Sequence, residues 1–472
     1  MEAFANIVNK IDGLVWGLPM LLLLVGTHIF LTIRTRGIQR HILRAIRLSV
    51  SKDAGAEGDI SQFAALSTAL AATIGTGNII GVSSAIVLGG PGAVLWCWLT
   101  GVFGIATKYG EGLLAVKYRV KTSDGTMLGG PMYALERGAR LRWLAVVFAL
   151  FTAVAAFGIG SGTQSNALAA VVKTQFGVDP LISSIVVTAI TAVVLLGGVR
   201  WISRVCSVFV PVMALLYVAG CVVLLVLNGA YLGETVRVIL REAFSLRAAG
   251  GGFAGTVMMA AARYGVARGL FSNESGLGSA PIAAAAARTR NPVRQALVSM
   301  TGTFWDTVVV CAMTGLVLVS SVLKAKSLGA SAELNSLTGG DLTGWAFGQI
   351  RVLGPIILTG GIIAFVFSSI LGWSYYGERA VEYLFGKSGV MPYKILYVAS
   401  VFFGGVASLT LVWDISDALN GLMAIPNIIS LLLLSNVIVK ETKKYLWDGR
   451  LDDVDLAPVP ELRRRAKKKK LP

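Results

Sequence analysis

Long apolar stretches separated by short polar loops follow one another along the whole chain. A helix needs about 20 apolar residues to cross a bilayer, and eleven stretches approach or exceed that length. We predict membrane-spanning helices over residues 14–34, 62–88, 92–116, 143–172, 181–199, 205–227, 252–287, 293–323, 343–374, 394–412 and 416–438. The pattern therefore predicts an all-α integral membrane protein with eleven transmembrane helices.

Two of these stretches are interrupted by glycine-rich polar segments. The first interruption contains Thr73, Gly75, Thr76, Gly77 and Asn78. The second contains Ser272, Asn273, Glu274, Ser275, Gly276, Gly278, Ser279 and Pro281. Polar groups at this depth are tolerated where they line a cavity or are buried in protein. A glycine-mediated helix crossing would explain one such segment, but two in corresponding places favour two broken helices.

The placement of the two breaks predicts internal symmetry. If the first helix is set aside, the remaining ten form two groups of five, and each group begins with a helix that contains a break. Because five is odd, the first helices of the two groups cross the membrane in opposite directions. This arrangement indicates a five-plus-five inverted repeat with one extra N-terminal helix and a binding site near the membrane midplane. The predicted segments are the extra helix with a cytoplasmic amphipathic helix (1–61), the first repeat (62–227), an outer loop (228–251), the second repeat (252–438) and a cytoplasmic basic tail (439–472).

A broken helix offers two kinds of backbone group to a ligand. Free N–H groups at the start of one half-helix suit a carboxylate, and free carbonyls at the end of the other suit an ammonium group or a small cation. A zwitterion together with a sodium ion satisfies both ends. The breaks therefore indicate symport of an amino acid with a cation.

Charge supports a membrane location and gives an orientation. The 472 residues include 42 Lys+Arg and 25 Asp+Glu, a net charge of +17, yet only 14% are charged, against about 25% in soluble domains. Basic residues are concentrated in every second loop, which places the N-terminus outside and the C-terminus in the cytoplasm. The excess charge follows topology rather than nucleic-acid binding. The tail ends in RRRAKKKK; it contacts anionic lipid or is simply solvated, and we expect residues 439–472 to be disordered.

Motifs for catalysis and cofactor binding are missing from the sequence. There are two histidines, His28 and His41, and the four cysteines lie at unrelated spacings inside apolar stretches. Neither a P-loop nor a GxSxG or HExxH motif occurs. We therefore predict that the protein is not an enzyme and has no cofactor.

Several isolated polar residues inside spans are candidates for binding. Ser368 and Ser369 either hydrogen-bond to their own helix or provide oxygen to sodium. Asp306 either pairs with a buried arginine or takes part in transport. Gln164 faces the pocket or another helix, as does Asn166. For Asp414 and Asp417, near a membrane boundary, we favour a helix-capping or gating role.

Six segments in order resemble the alanine/glycine:cation symporter family, also called sodium:alanine symporters. They are ATIGTGNIIGV, GGPGAVLWCWLTGVFGIATKYGEGLLAVKYR, GGPMYALERG, RGLFSNESGLGSAPIAAAAA, RQALVSMTGTFWDT and LGWSYYGE, and the resemblance extends from about residue 14 to 445. Leu95 and Cys97 stand where Phe and Met are usual, and both are apolar. The resemblance implies the fold of the leucine-transporter-like superfamily, with a five-plus-five inverted repeat preceded here by one extra helix.

The resemblance also implies roles for residues in the breaks. The N–H groups of Thr76 and Gly77 would bind the substrate carboxylate, and carbonyls near Thr73, Phe271 and Ser272 its ammonium group. One cation site would combine Asn78 and Thr73 with Ser272 or Asp306, and the other would combine carbonyls near Ala71 and Ile74 with Ser368 and Ser369. The substrate-binding candidates are thus Thr73, Gly75, Thr76, Gly77, Asn78, Gln164, Phe271, Ser272, Asn273, Gly276 and Trp373. The cation-binding candidates are Ala71, Thr73, Ile74, Asn78, Ser272, Asp306, Ser368 and Ser369.

The prediction is a secondary active symporter of the cell membrane. It couples influx of sodium, or of protons, to uptake of a small neutral amino acid, alanine or glycine, by alternating access. Phe271, Phe157 and Trp373 are the bulky residues near the breaks, so we expect a small pocket. A non-coupling channel or an amino-acid sensor on the same scaffold is the alternative.

Overall fold

The computed structural model describes residues 15–51, 53, 56–245, 257–329, 337, 339–407 and 410–462. Helices dominate these residues, as the apolar pattern predicts. In the first half the α-helices are α1 (Leu18–Arg34), α2 (Ile42–Ser49), α3 (Gln62–Thr73), α4 (Val82–Gly89), α5 (Ala93–Lys117), α6 (Pro131–Tyr133), α7 (Arg142–Ala155), α8 (Thr163–Phe176), α9 (Pro180–Leu196), α10 (Gly198–Leu227) and α11 (Leu232–Ala243). Strands β1 (Val120–Lys121) and β2 (Met127–Leu128) form a short antiparallel hairpin after α5.

The second half is also helical. Its α-helices are α12 (Val257–Asn273), α13 (Pro281–Ala284), α14 (Pro292–Thr303), α15 (Ala312–Ser327), α16 (Gly339–Phe347), α17 (Leu353–Phe385), α18 (Val390–Val406), α19 (Thr410–Leu433) and α20 (Ser435–Thr442). Wider π-helical turns occur at Gly77–Gly81, Ala134–Gly138, Ala156–Gly162, Phe304–Cys311 and Lys443–Trp447. Tighter 3-10 turns occur at Ile38–His41, Gly229–Tyr231 and Lys387–Gly389.

Many of these helices are suited to a bilayer. In the described residues, five continuous helical stretches are long and apolar enough to cross a membrane, namely Arg142–Phe176, Gly198–Leu227, Pro292–Ser327, Leu353–Phe385 and Lys387–Val406. Three more pairs meet the same test together but bend at a short break, namely Leu18–Arg34 with Ile38–Ser49, Gln62–Thr73 with Gly77–Gly89, and Ala418–Leu433 with Ser435–Trp447. A helix or broken helix lies within every predicted stretch, while the count of eleven crossings stays a prediction.

Both predicted breaks are present. α3 ends at Thr73, Ile74 is extended, and the helix that resumes at Gly77 is bent by 51° from the first half. α12 ends at Asn273, and helical structure resumes at Pro281. Between them Gly276 and Gly278 have φ angles of 94° and 87°, a conformation that glycine adopts without a steric penalty.

α5 brings buried charges next to the second break. It packs between α12 and α14, and its glycines allow the close approach. A Cβ at Gly104 would press on Ser275, and one at Gly112 on Ser299. The carboxylate of Glu111, the residue before Gly112, accepts hydrogen bonds from the Gly276 N–H at 2.9 Å and from the Asn427 side chain at 2.7 Å.

The predicted span 343–374 is wrong at its start. Residues Gly339–Phe347 form the separate short helix α16, and α17 begins only at Leu353 and continues to Phe385. Val352, just before α17, has a φ of 61°. A right-handed helix cannot pass through a residue in this left-handed conformation, so the apolar run divides there.

The expectation of a disordered tail is wrong for residues 439–462. These residues complete α20 with its π-turn and then cross the loops at one end of the bundle. Asn291 donates to the carbonyls of Leu451 and Asp453 at 2.8 and 2.9 Å, and Arg294 pairs with Asp452 at 2.5 Å. Specific partners for the charged groups thus give this segment a fixed course. The remaining residues, 463–472, lie outside the described residues.

Candidate functional site

The two breaks meet in the middle of the bundle. A Cβ on Gly77 would lie 3.5 Å from both the Phe271 ring and the Ser272 backbone. A cavity beside this contact leaves about 20 Å³ open to the centre of a water molecule, which is room for one or two waters. Its lining consists of Ala72, Thr73, Gly75, Thr76, Gly77, Ile159, Gln164, Phe271, Glu274, Ser369, Trp373 and Asn420.

The first break presents backbone donors to this cavity. Thr76 and Gly77 begin the helical segment that leads into α4, and the first N–H groups of a helix have no partner within it. The Asn78 side-chain oxygen accepts the Gly75 N–H at 2.9 Å and so fixes the turn. The partial positive charge of this helix end therefore faces the cavity, where it favours an anionic group.

Side-chain acceptors lie in the same cavity wall. Among the described residues, the Gln164 Oε1 and Asn420 Oδ1 atoms are buried without a hydrogen-bond partner. Glu274 is 3% exposed and lines the cavity from the second break. The cavity therefore combines a donor end with acceptors, a polarity that matches a zwitterion.

A fully buried carboxylate lies behind the contact between the breaks. Asp306, from the π-turn after α14, accepts hydrogen bonds from Asn78 at 2.7 Å, Ser272 at 3.0 Å and Thr307 at 2.6 Å. Each of these partners is polar and uncharged, and within the described part of the chain no arginine pairs with Asp306. The alternative of a buried Arg–Asp pair therefore finds no support here. The cluster joins both breaks to one negative charge and can hold a cation.

A second oxygen cluster lies where α17 passes α3. Ser369 donates to the Ala71 carbonyl at 3.1 Å, and Ser368 donates to the Phe365 carbonyl of its own helix at 2.9 Å. Gly75 is close, because a Cβ there would lie 3.0 Å from the Ser369 hydroxyl. Ser368 thus hydrogen-bonds to its own helix and also reaches the Ala71 carbonyl at 3.4 Å, so both serines contact the first broken helix.

The structure separates the remaining candidates. Asn273 faces a neighbouring cavity together with Lys108, and Gly276 contacts Glu111 rather than the central cavity. Asn166 donates to two carbonyls, those of Gly404 at 3.2 Å and Ala407 at 3.3 Å, so it faces another helix. The side chains of Asp414 and Asp417 lie outside the described residues.

The walls differ in part from expectation. Phe271 and Trp373 line the cavity as predicted, but Phe157 packs against Tyr393 and Tyr397 with ring centroids 4.9 and 6.0 Å apart. Ile159, two residues further on, faces the cavity instead.

Sequence reasoning missed four lining residues: Ala72, Ile159, Glu274 and Asn420. Glu274 was visible within the polar break and could have been chosen, because a carboxylate in a span is a functional candidate. Asn420 and Ile159 gave no distinguishing signal, because single asparagines and isoleucines are common in helices.

Comparisons with known proteins agree with this architecture. The profile of the sodium:alanine symporter family matches residues 1–454. The sodium/alanine symporter AgcS of Methanococcus maripaludis is 52% identical over 449 residues, which cover 94% of this chain and 97% of AgcS. The amino-acid carrier protein AlsT of Bacillus subtilis is 33% identical over 452 residues, which cover 94% and 93%. The crystal structure of MhsT in complex with L-phenylalanine is similar in fold, with a TM-score of 0.55 and 15% identity over 82% of this chain and 98% of MhsT.

The apolar helices close around a polar cavity at the two helix breaks, which is the arrangement of a multi-pass membrane transporter. The relatives show that this transporter is a cation-coupled amino-acid symporter rather than an enzyme. The chain belongs to the sodium:alanine symporter family.

Proposed function

We propose that this protein couples sodium influx to the uptake of a small neutral amino acid, alanine or glycine. The observation that carries the proposal is the opposite polarity of the two ends of the central cavity. The N–H groups of Thr76 and Gly77 bind the substrate carboxylate, and oxygens on the other wall bind its ammonium group. The printed name of AgcS, a sodium/alanine symporter, supports alanine and sodium as the transported pair.

The size of the cavity limits the substrate. Phe271, Trp373 and Ile159 bound it, and the open space is about 20 Å³. Trp373 is held in place because it packs directly on Gly160. One extra methylene that fits is worth only about 1–3 kcal/mol of discrimination, so larger side chains must be excluded by a closely packed wall. We expect glycine and alanine to be accepted once the cavity widens around them, and leucine and phenylalanine to clash with this wall.

Two clusters are proposed as cation sites. The first is formed by Asp306 with Asn78 and Ser272: the carboxylate and the Ser272 hydroxyl oxygen suit a hard cation, while Asn78 donates to the carboxylate through its amide nitrogen. The second cluster consists of Ser368, Ser369 and carbonyls near Ala71. Because Asn78 also fixes the turn at Gly75, a cation bound at the first cluster steadies the break that binds the substrate. The first break is thus shared by the two sites, and this couples cation binding to substrate binding.

Alternating access supplies the transport step. The five-plus-five inverted repeat places the two broken helices around one central site, and the basic loops put the N-terminus outside and the C-terminus in the cytoplasm. α16 covers the first break, with Thr343 donating to the Ile79 carbonyl at 3.3 Å. We propose that α16 covers the break from the outer side of the membrane.

Counterflow tests the proposal. Proteoliposomes loaded with unlabelled alanine should accumulate labelled alanine above equilibrium in sodium, because exchange requires a site that alternates between the two sides. Unlabelled glycine should compete, and leucine and alaninamide should not. Lack of counterflow would favour the channel or sensor alternative, and equal competition by leucine would contradict the small cavity.

A further inference from the structure

The central cavity contains three side-chain oxygens that a purely backbone account of substrate binding leaves unused. Gln164 Oε1 and Asn420 Oδ1 lack partners among the described residues, and the Glu274 carboxylate shares their cavity. Asn420 is 1% exposed and Glu274 is 3% exposed. A buried acceptor without a partner is destabilising, so a ligand that donates to these atoms is stabilised.

Glu274 lines the cavity from the second break, and its carboxylate has a fixed partner. Its φ of 53° is left-handed, which is uncommon for a residue other than glycine. Ser279 donates a hydrogen bond to one carboxylate oxygen, Oε2. The Gln164 amide is also fixed, because its nitrogen donates to the Ile159 carbonyl at 3.1 Å and leaves the oxygen free.

More carboxyl groups than basic groups surround Glu274. The carboxylates of Glu111 and Asp306 act on Glu274, and Lys108 is the basic side chain that acts on all three. Lys108 lies 3.9 Å from Glu111, its partner in the same helix. One basic side chain, that of Lys108, therefore lies among three buried carboxyl groups.

We propose that Glu274, with the side-chain oxygens of Gln164 and Asn420, binds the substrate ammonium group and makes the site specific for amino acids. A primary ammonium has three N–H donors, and these three acceptors match them. A carboxylate gives a stronger hydrogen bond to an ammonium group than a backbone carbonyl does. The inference rests on the proposed function, because it assigns the ammonium end of the same central site.

Competition between alanine and L-lactate tests Glu274 directly. Lactate has the same methyl group and carboxylate but a hydroxyl in place of the ammonium group. Wild type should prefer alanine strongly in a sodium-dependent binding assay on purified protein. Glu274→Gln removes the charge at nearly constant shape, so the preference for alanine over lactate should fall about 10- to 100-fold, mainly through weaker alanine binding.

Glu441→Gln is the matched control, because it removes a buried carboxylate that pairs with Lys117 at 2.8 Å and does not line the central cavity, and its alanine-to-lactate ratio should stay near that of wild type. A Glu274→Gln protein that keeps the wild-type ratio would overturn the inference. If this variant does not fold, Glu274→Asp and Glu274→Ser replace it: Asp should retain a preference at least about 10-fold above that of Ser, and equal ratios would overturn the inference. Wild-type counterflow separately tests the proposed function.

Discussion

Hydrogen bonds of Asn78 connect Asp306, in the proposed cation site, to the first break, in the proposed substrate site. The Asn78 nitrogen donates to Asp306 at 2.7 Å, while its oxygen accepts the Gly75 N–H. One side chain therefore links a buried carboxylate to the backbone that faces the substrate. The sequence was sufficient to nominate both residues, because each is polar within an apolar stretch. Their contact could not be predicted, since it joins residues 228 positions apart.

Replacing Asn78 should weaken sodium-dependent alanine binding. Asn78→Ala removes one of the hydrogen bonds to Asp306 and leaves the Gly75 N–H without its side-chain acceptor, and such a loss is worth about 1–3 kcal/mol. The half-saturating sodium concentration should rise accordingly in a binding titration. Asn166→Ala, which removes contacts to carbonyls of another helix, is the control and should leave the sodium requirement unchanged. An unchanged sodium titration in Asn78→Ala would remove it from the cation site.

The two broken helices could be identified from the sequence alone. Polar and glycine residues in the middle of two long stretches predicted both breaks, and the structure has them at Ile74–Thr76 and at Glu274–Ala280. The start of α17 was missed although Gln349 and Arg351 in the turn before it are polar and could have marked the boundary. The face of α17 that meets the first break was expected only through the family resemblance, because from the residues alone it depends on how α17 and α3 pack.

The contact between α17 and α3 gives a prediction for the second cation cluster. The double change Ser368→Ala and Ser369→Ala removes two hydroxyls without lowering helix propensity. Transport should then need a several-fold higher sodium concentration. Ser374→Ala is a matched control on the same helix, because Ser374 donates only to Leu371 of its own helix at 2.7 Å. Identical sodium curves for the double variant and the control would leave both serines with a purely local role.

The bundle is closed at one end by a polar layer that the sequence did not reveal. The segment after α20 hydrogen-bonds to the hairpin strand β1, where Lys121 donates to the Pro460 carbonyl at 3.0 Å and Leu462 donates back at 2.8 Å. Arg294, at the start of α14, joins Asp53 at 2.8 Å and Asp452 at 2.5 Å. Charge in the tail suggested disorder because its partners are distant in sequence, and only the assembled fold brings them together.

Arg294 should therefore matter for stability. Arg294→Gln leaves the Asp53 side chain, which is 1% exposed, without its ion-pair partner at 2.8 Å. Breaking a buried pair in this way costs about 3–5 kcal/mol. The melting temperature of purified protein should fall by several degrees. Arg450→Gln breaks the exposed pair with Asp453, which contributes little to stability because water screens it, and serves as the control. Equal melting temperatures in the two variants would contradict this account of the polar layer.

Uptake driven by imposed gradients tests the central claim of sodium-coupled alanine transport most directly. Labelled L-alanine would be offered to proteoliposomes under an inward sodium gradient, an inward proton gradient, or neither. Accumulation above equilibrium under the sodium gradient alone is the predicted result. Equal equilibration without a gradient would contradict coupling, and accumulation driven only by protons would contradict sodium as the coupled ion.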